Sequence, residues 1–296
     1  MRLLGPVLFG SAAALLVWRF WRAPKWVSFP GHGLGGLAVI LAASGLTALD
    51  VRSIKLYLTP IAWTGYILAV DGAVWSIRGR SWLRSEPGRF AWAALLSIPL
   101  WLVFEAYNLR LKNWVYVGLP ERGWMRILGY VWSFATIWPA VLVTAEFLLA
   151  TRVGTEHTRW RIKWPPRALV GIGAAMLAAP ILAPATWGAY LFGMVWLGFV
   201  LLLDPLNAKA ARPSLLADSA RLNALLASGV VCGFLWEFWN WHAAARWRYV
   251  FPVLQSVRIF EMPLPGYLGF PAFAAEVFAM YVYATWRLGL PFYEVK

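Results

Sequence analysis

The chain has 296 residues, of which 61% are hydrophobic and 14% charged. A water-soluble chain is nearer half apolar and a quarter charged, so the composition points away from a soluble globular protein and makes lipid the expected solvent. The net charge of +14 does not indicate a nucleic-acid partner, because Arg and Lys stand in short segments between long apolar runs, such as Arg78-Gly79-Arg80 and Arg159-Trp160-Arg161, instead of forming one basic face. In a membrane protein that pattern sets orientation and meets anionic headgroups.

A membrane-crossing helix needs about 20 apolar residues. Such runs are predicted at 3–20, 33–49, 56–77, 90–108, 128–150, 168–185, 187–206, 222–241 and 267–288. The first has the basic start and apolar stretch of a signal peptide, but Arg19, Trp21, Arg22 and Lys25 follow it without a small-residue cleavage site, which predicts a retained helix. The second opens on Gly31-His32-Gly33-Leu34-Gly35-Gly36, read as close helix packing. The sixth and seventh nearly touch at Pro184 to Gly188, which predicts a tight hairpin.

Nine crossings put the termini on opposite sides. The loops on the C-terminal side carry more Lys and Arg, so the N-terminus is expected outside and the C-terminus in the cytoplasm, in the inner or plasma membrane. The 21 tryptophans suit the membrane interface, where an apolar ring and a polar N–H are both satisfied.

The chain repeats itself. Trp63, Gly65, Tyr66, Leu68 and Asp71 match Trp196, Gly198, Phe199, Leu201 and Asp204 at identical spacing, and Ser81 and Ser214 follow at the same offset. Phe104-Glu105 and Asn108 match Trp236-Glu237 and Asn240; Trp114 and Tyr116 match Trp247 and Tyr249; Arg126 matches Arg258, and Pro139 matches Pro271. The expected architecture is all-α: a polytopic bundle with an N-terminal helix and basic loop (1–32), then two tandem four-helix units (33–167 and 168–296). An even number of crossings per unit makes the copies parallel, related by an axis along the membrane normal.

Candidate chemistry sits in the matched polar residues. Glu105 and Asn108 share a helix face, as do Glu237 and Asn240. The structural reading is interhelical bonding: Glu paired with Arg126 or Arg258, and Asn bonded to backbone. The functional reading makes Glu105 and Glu237 acid–base groups, since a carboxyl among apolar walls can carry a proton near neutrality, with Glu276 as a third carboxyl deep in the last span. Asp71 and Asp204 read as helix-end locks beside neighbouring Arg, and Glu146 falls out of register with Glu276. Glu261 lies in a Pro-rich approach to the last span, at the surface or in a loop lining the cleft. Trp114, Tyr116, Trp247 and Tyr249 form either an interfacial belt or the lining of a pocket whose aromatic faces attract cations.

Cys232 is the one cysteine, so an intrachain disulfide or a Cys-based metal site is ruled out. His32, His157 and His242 lack metal-ligand spacing, and no phosphate loop, dinucleotide fingerprint or Ser elbow is found. No metal and no cofactor are therefore expected.

The order of an amide or carboxylate at a helix end, a Trp-x-Tyr segment, an Arg, a Pro-rich approach and a carboxylate in the next span resembles the membrane-embedded lycopene (carotenoid) cyclase domains, which are also duplicated helical units. The corresponding residues are Asn108, Trp114, Tyr116, Arg126 and Glu146 in the first unit, and Asn240, Trp247, Tyr249, Arg258 and Glu276 in the second. The Pro-x-Glu-Glu motif of that family is missing: Pro271-Ala-Phe-Ala-Ala-Glu276 has a single Glu. The resemblance implies cofactor-independent, proton-driven isomerisation or cyclisation of an isoprenoid polyene. Glu105, Glu237 and Glu276 would handle protons, Asn108 and Asn240 would orient them, and Trp114, Tyr116, Trp247, Tyr249, Arg126 and Arg258 would bind the substrate. The alternatives are a proton-coupled transporter or lipid-handling protein, and a non-catalytic scaffold.

Overall fold

The computed structural model describes residues 4–152 and 165–290. His157 and the basic residues Arg159, Arg161 and Lys163 lie outside the described residues. Among the described residues, nine long helices form at the nine apolar runs: α1 (Leu4–Arg22), α2 (Gly31–Ala48), α3 (Leu58–Arg78), α4 (Pro87–Leu111), α5 (Gly123–Ala150), α6 (Pro166–Leu182), α7 (Phe192–Lys209), α8 (Ser219–His242) and α9 (Gly269–Arg287). Seven are long and apolar enough to cross a membrane: α1, α2, α4, α5, α7, α8, and α9 together with the 3-10 turn Leu264–Leu268 before it. α6 is apolar but has 17 residues. α3 has 21 residues and is buried along most of its length, carrying Thr59, Asp71 and Ser76 inside. The outward faces are apolar, with Leu41 73% and Leu109 82% exposed. Such faces are stable only against lipid, so this is a helical membrane protein.

α5 and α9 form the centre, and each is buried almost continuously, from Phe134 to Leu148 and from Phe273 to Val282. Around them α3 and α4 pack on α5, α7 and α8 pack on α9, and α5 packs on α8. α2 lies against α3 and α6 against α7. α1 covers α8, with Phe9 stacked on Phe238 at 3.7 Å.

Glycine permits the two outer pairings. A Cβ on Gly36 would stand 2.4 Å from the Gly65 carbonyl oxygen, and one on Gly173 would stand 2.7 Å from that of Gly198. Backbones this close gain dispersion contact that lipid cannot replace. Of the Gly-rich opening of α2, Gly33 and Gly36 face α3, while Gly31 and Gly35 face open space.

The helix ends gather in two layers. In one, the Tyr57 hydroxyl bonds the Met125 carbonyl (3.1 Å), the Ala244 N–H bonds the Lys55 carbonyl (2.8 Å), and Arg110 bonds the Ala183 carbonyl (3.0 Å). In the other, the Trp26 N–H meets the Ser76 carbonyl at 2.9 Å and Arg78 meets Glu146 at 3.0 Å.

Two segments expected as loops are strands in the first layer. β1 (Trp114–Val117) and β2 (Arg246–Tyr249) form an antiparallel ribbon in which Trp114 faces Tyr249 and Tyr116 faces Trp247. A smaller ribbon joins β3 (Arg258–Ile259) to β4 (Met262–Pro263). At the end of β1, Gly118 has φ +66, and a Cβ there would fall 2.1 Å from the Ala244 carbonyl oxygen. The predicted hairpin before α7 is a short helical turn, Ala185–Gly188, so α7 starts at Phe192 instead of 187.

Candidate functional site

Each central carboxylate ends a helix and receives a phenol from the ribbon beyond it. Glu105, in the last turns of α4, accepts at Oε1 from the Trp101 indole (2.9 Å), the Trp114 indole (3.2 Å) and the Tyr116 hydroxyl (2.6 Å). Glu237, fully buried in α8, accepts from the Tyr249 hydroxyl at 2.9 Å, and Trp247 donates to that same hydroxyl at 2.8 Å. Burial, and then the neighbouring carboxylate, push both the Tyr116 and Tyr249 phenols well above their ordinary range. They remain protonated donors to the carboxylates.

The asparagines hold the ribbon. Asn108 donates to the Trp114 carbonyl (2.9 Å) and accepts from the N–H groups of Asn113 (2.8 Å) and Trp114 (3.1 Å). Asn240 brackets Trp247 in the same way, with both bonds at 3.0 Å. This is the backbone bonding that the structural reading expected of them. Their amides are engaged with the strands, so they orient the carboxylates only through the Tyr and Trp that those strands carry.

The arginine half of that reading is corrected. Arg126 bonds the Glu121 carbonyl (3.3 Å), and Arg258 turns to Gln255 and lies 3.8 Å from Glu261. Neither pairs with Glu105, which takes Trp101, Trp114 and Tyr116, or with Glu237, which takes Tyr249. Glu261 is buried, not a surface group, and gathers Arg246 (3.4 Å), Arg248 (3.7 Å) and Arg258.

Between the two halves lies a cavity of 630 Å³, within the roughly 300–1,000 Å³ typical of small-molecule sites. Trp114, Tyr116, Trp247 and Tyr249 line it, as the pocket reading expected, and Arg126 and Arg246 also reach its surface. Its inner wall is a cluster of which the sequence picked out only Trp236, as the match of Phe104. Trp101 and Trp236 lie 6.2 Å apart, and Phe273 meets their ring faces edge-on at 5.8 and 6.4 Å. Signals for these residues existed: Trp101 is one helical turn before Glu105, and Trp236 immediately precedes Glu237. Glu105, Glu237, Asn108 and Asn240 stand behind this aromatic wall, and Arg258 does not line the cavity.

Glu276 sits deeper, one turn beyond Phe273 on α9. It is fully buried, and neither carboxyl oxygen has a hydrogen-bond partner. A buried carboxyl without partners is costly and marks a candidate functional group. Glu146 is at the opposite end of the bundle from the ribbons, between Arg78 (3.0 Å) and Arg221 (4.0 Å).

Asp71 and Asp204 are helix-end locks, but their partners differ from the expected Arg. Each accepts a serine hydroxyl at 2.7 Å, from Ser81 and Ser214, and backbone N–H groups from the following loop. Asp71 also meets His32 at 3.1 Å. In chemical terms the site offers an apolar, aromatic chamber with a phenol–carboxyl pair on each side. It can hold a hydrophobic molecule, pass protons to it and face a developing cation with π-surfaces.

No protein-family model, curated protein or solved structure matches the chain.

Proposed function

We propose that this protein is a cofactor-independent membrane enzyme that isomerises or cyclises an isoprenoid or similar lipid by proton transfer. The observation that carries the reading is the aromatic cavity flanked by Tyr116–Glu105 and Tyr249–Glu237. A proton delivered to a double bond from one pair makes a carbocation, which the Trp and Phe faces stabilise. Loss of a proton from a neighbouring carbon to the other pair restores a double bond in a new place or closes a ring. Atoms and electrons balance without an oxidant or a nucleotide. The donating pair enters the step with its carboxyl protonated, because a phenol pushed above its ordinary range is too weak an acid to protonate an alkene. The accepting pair enters with its carboxyl ionised, and each phenol relays the proton between carboxyl and substrate. Glu276 is the reserve carboxyl beneath Phe273. The resemblance to lycopene cyclase domains points to the same chemistry.

The fuller architecture belongs to this proposal: nine crossings, two parallel four-helix units, the N-terminus outside and the ribbons on that outer side. The duplication is supported by the shared Asp–Ser lock and the shared Asn bracket. It is also supported by the β1–β2 register, which pairs Trp114 with Tyr249 and Tyr116 with Trp247. A two-fold axis through the ribbon exchanges those two pairs.

A transporter is the second reading. Against it, among the described residues none lines both the aromatic cavity and the cavity at the other end of the bundle.

Mass spectrometry of membrane lipids from cells carrying the wild type, Glu105→Gln or Glu237→Gln tests the proposal. Removing one acid–base group is expected to lower product at least about a hundredfold, with precursor accumulating. An unchanged lipid profile in both variants would overturn the enzyme reading.

A further inference from the structure

At the end of the bundle opposite the ribbons lies a second cavity, of 830 Å³, formed where α1, α3 and α5 end and α8 begins. Its character is the reverse of the first. Arg19, Arg22, Arg78, Arg80, Arg152 and Arg221 all line it. Two carboxylates meet this set among the described residues. Asp218, on the wall, takes Arg221 Nε at 3.1 Å; Glu146, buried behind it, takes Arg78 at 3.0 Å and lies 4.0 Å from Arg221. Among the described residues, Arg19, Arg22, Arg78 and Arg221 against Asp218 and Glu146 already leave a surplus of positive charge in one concave space.

The geometry is that of a prepared site. Glu146 is 6% exposed and accepts from Arg78 at 3.0 Å, Asp218 holds Arg221 at 3.1 Å, and the two arginine side chains are 19% and 11% exposed. A guanidinium has five N–H donors, so these contacts leave others for a ligand. The first turn of α8 also reaches the wall through Ala220 and Arg221, with its N-terminus capped by Asp218, which accepts from the Arg221 N–H at 2.9 Å.

We infer that this cavity binds a phosphate-bearing anion at the membrane surface. A tetrahedral, multiply charged oxyanion matches several forked guanidiniums at once, where a carboxylate satisfies one. The cavity lies at the level of the helix ends, where lipid phosphates also lie. The phosphate belongs either to an anionic phospholipid headgroup or to a free ion such as pyrophosphate. Among the described residues, the site shares none with the aromatic cavity, and it does not depend on that cavity's chemistry.

The test uses the purified full chain with two probes. Native mass spectrometry after release from nanodiscs of phosphatidylglycerol and phosphatidylcholine reads the lipid arm. Calorimetry with inorganic pyrophosphate in a zwitterionic detergent reads the free-ion arm. The main variant is Arg19→Gln with Arg22→Gln, since neither side chain has a carboxylate partner among the described contacts and folding should be retained. A second, Arg78→Gln with Glu146→Gln, removes both members of the buried pair. One arm is expected to show a one-to-one complex that weakens at least tenfold in both variants. Retained phosphatidylglycerol without pyrophosphate binding assigns the headgroup, and pyrophosphate binding assigns the free ion. No complex in either arm, or equal binding by wild type and folded variants, overturns the site.

Discussion

Gly36→Val is expected to prevent accumulation of the folded protein, whereas Gly35→Val, one residue away on the same helix, is expected to leave it unchanged. A Cβ at position 36 would stand 2.4 Å from the Gly65 carbonyl oxygen and 2.6 Å from the Ala69 nitrogen. Both are backbone atoms of α3, so no rotamer relieves the clash and the helices must move apart. Separation would also loosen the neighbouring contact, where a Cβ on Gly33 would be 3.2 Å from the Gly72 Cα. Overpacking typically costs about 1–3 kcal/mol, and here it adds to lost helix contact in a solvent that offers no hydrophobic drive for association. Gly35 has nothing within 4 Å of its Cβ position. The second outer pair provides a repeat of the experiment: Gly173→Val should fail and Gly171→Val, also in open space, should not. Size-exclusion of a fluorescent fusion reads the outcome. Equal monodisperse yield of Gly36→Val and Gly35→Val would contradict the packing described.

Asn240→Leu is expected to lower the unfolding temperature and to open the cavity wall. Asn240 is fully buried and bonds both the N–H and the carbonyl of Trp247. Leucine is of similar size but leaves both groups without partners, at ~1–3 kcal/mol each. Each kcal/mol shifts the midpoint by about 2–4 °C in a chain of this order of size. The loss lands on the strand that carries Trp247 and Tyr249, so the Tyr249–Glu237 bond should weaken with it. Asn108→Leu should act in parallel, releasing the Asn113 and Trp114 N–H groups and the Trp114 carbonyl. Thermal unfolding followed by tryptophan fluorescence measures this, and a midpoint unchanged from wild type would show that the asparagines do not hold the ribbon.

Much of this arrangement was legible in the sequence because lipid imposes strict terms. A crossing must be helical and apolar along its length, so hydropathy alone located all nine helices to within a few residues. The largest errors were five residues, at the start of α5, which begins at Gly123 instead of 128, and at the start of α7, where Pro184 and Gly188 shape a separate turn. Glycine contacts at α2 and the lining of a pocket by Trp114, Tyr116, Trp247 and Tyr249 were also readable, the latter from the matched pairs. The ribbons were not recognised, although Trp-x-Tyr alternation is a strand signal. Four residues are too few to stand out beside long helices. The partners of the charged groups were the least legible. Glu105 looked placed for Arg126 but found Tyr116 and two indoles, and Glu261, read as a surface group or part of a cleft-lining loop, is buried and collects three arginines. Such choices depend on which side chains the tertiary fold brings together, and sequence proximity does not encode that. The phosphate-site arginines were visible as scattered loop charges, and only the convergence of four helix ends makes them one cavity.

The central claim is proton transfer to lipid carbon in the aromatic cavity, and deuterium uptake tests it most directly. Purified wild-type protein, Glu105→Gln and Glu237→Gln would be incubated in D2O with an isoprenoid extract of the native membrane, and the lipids analysed by mass spectrometry for non-exchangeable deuterium. The wild type should convert one polyene species to an isomer carrying carbon-bound deuterium, and the variants should do so at least about a hundredfold more slowly. Wild-type protein that binds lipid yet places no deuterium on carbon in any species would contradict the account.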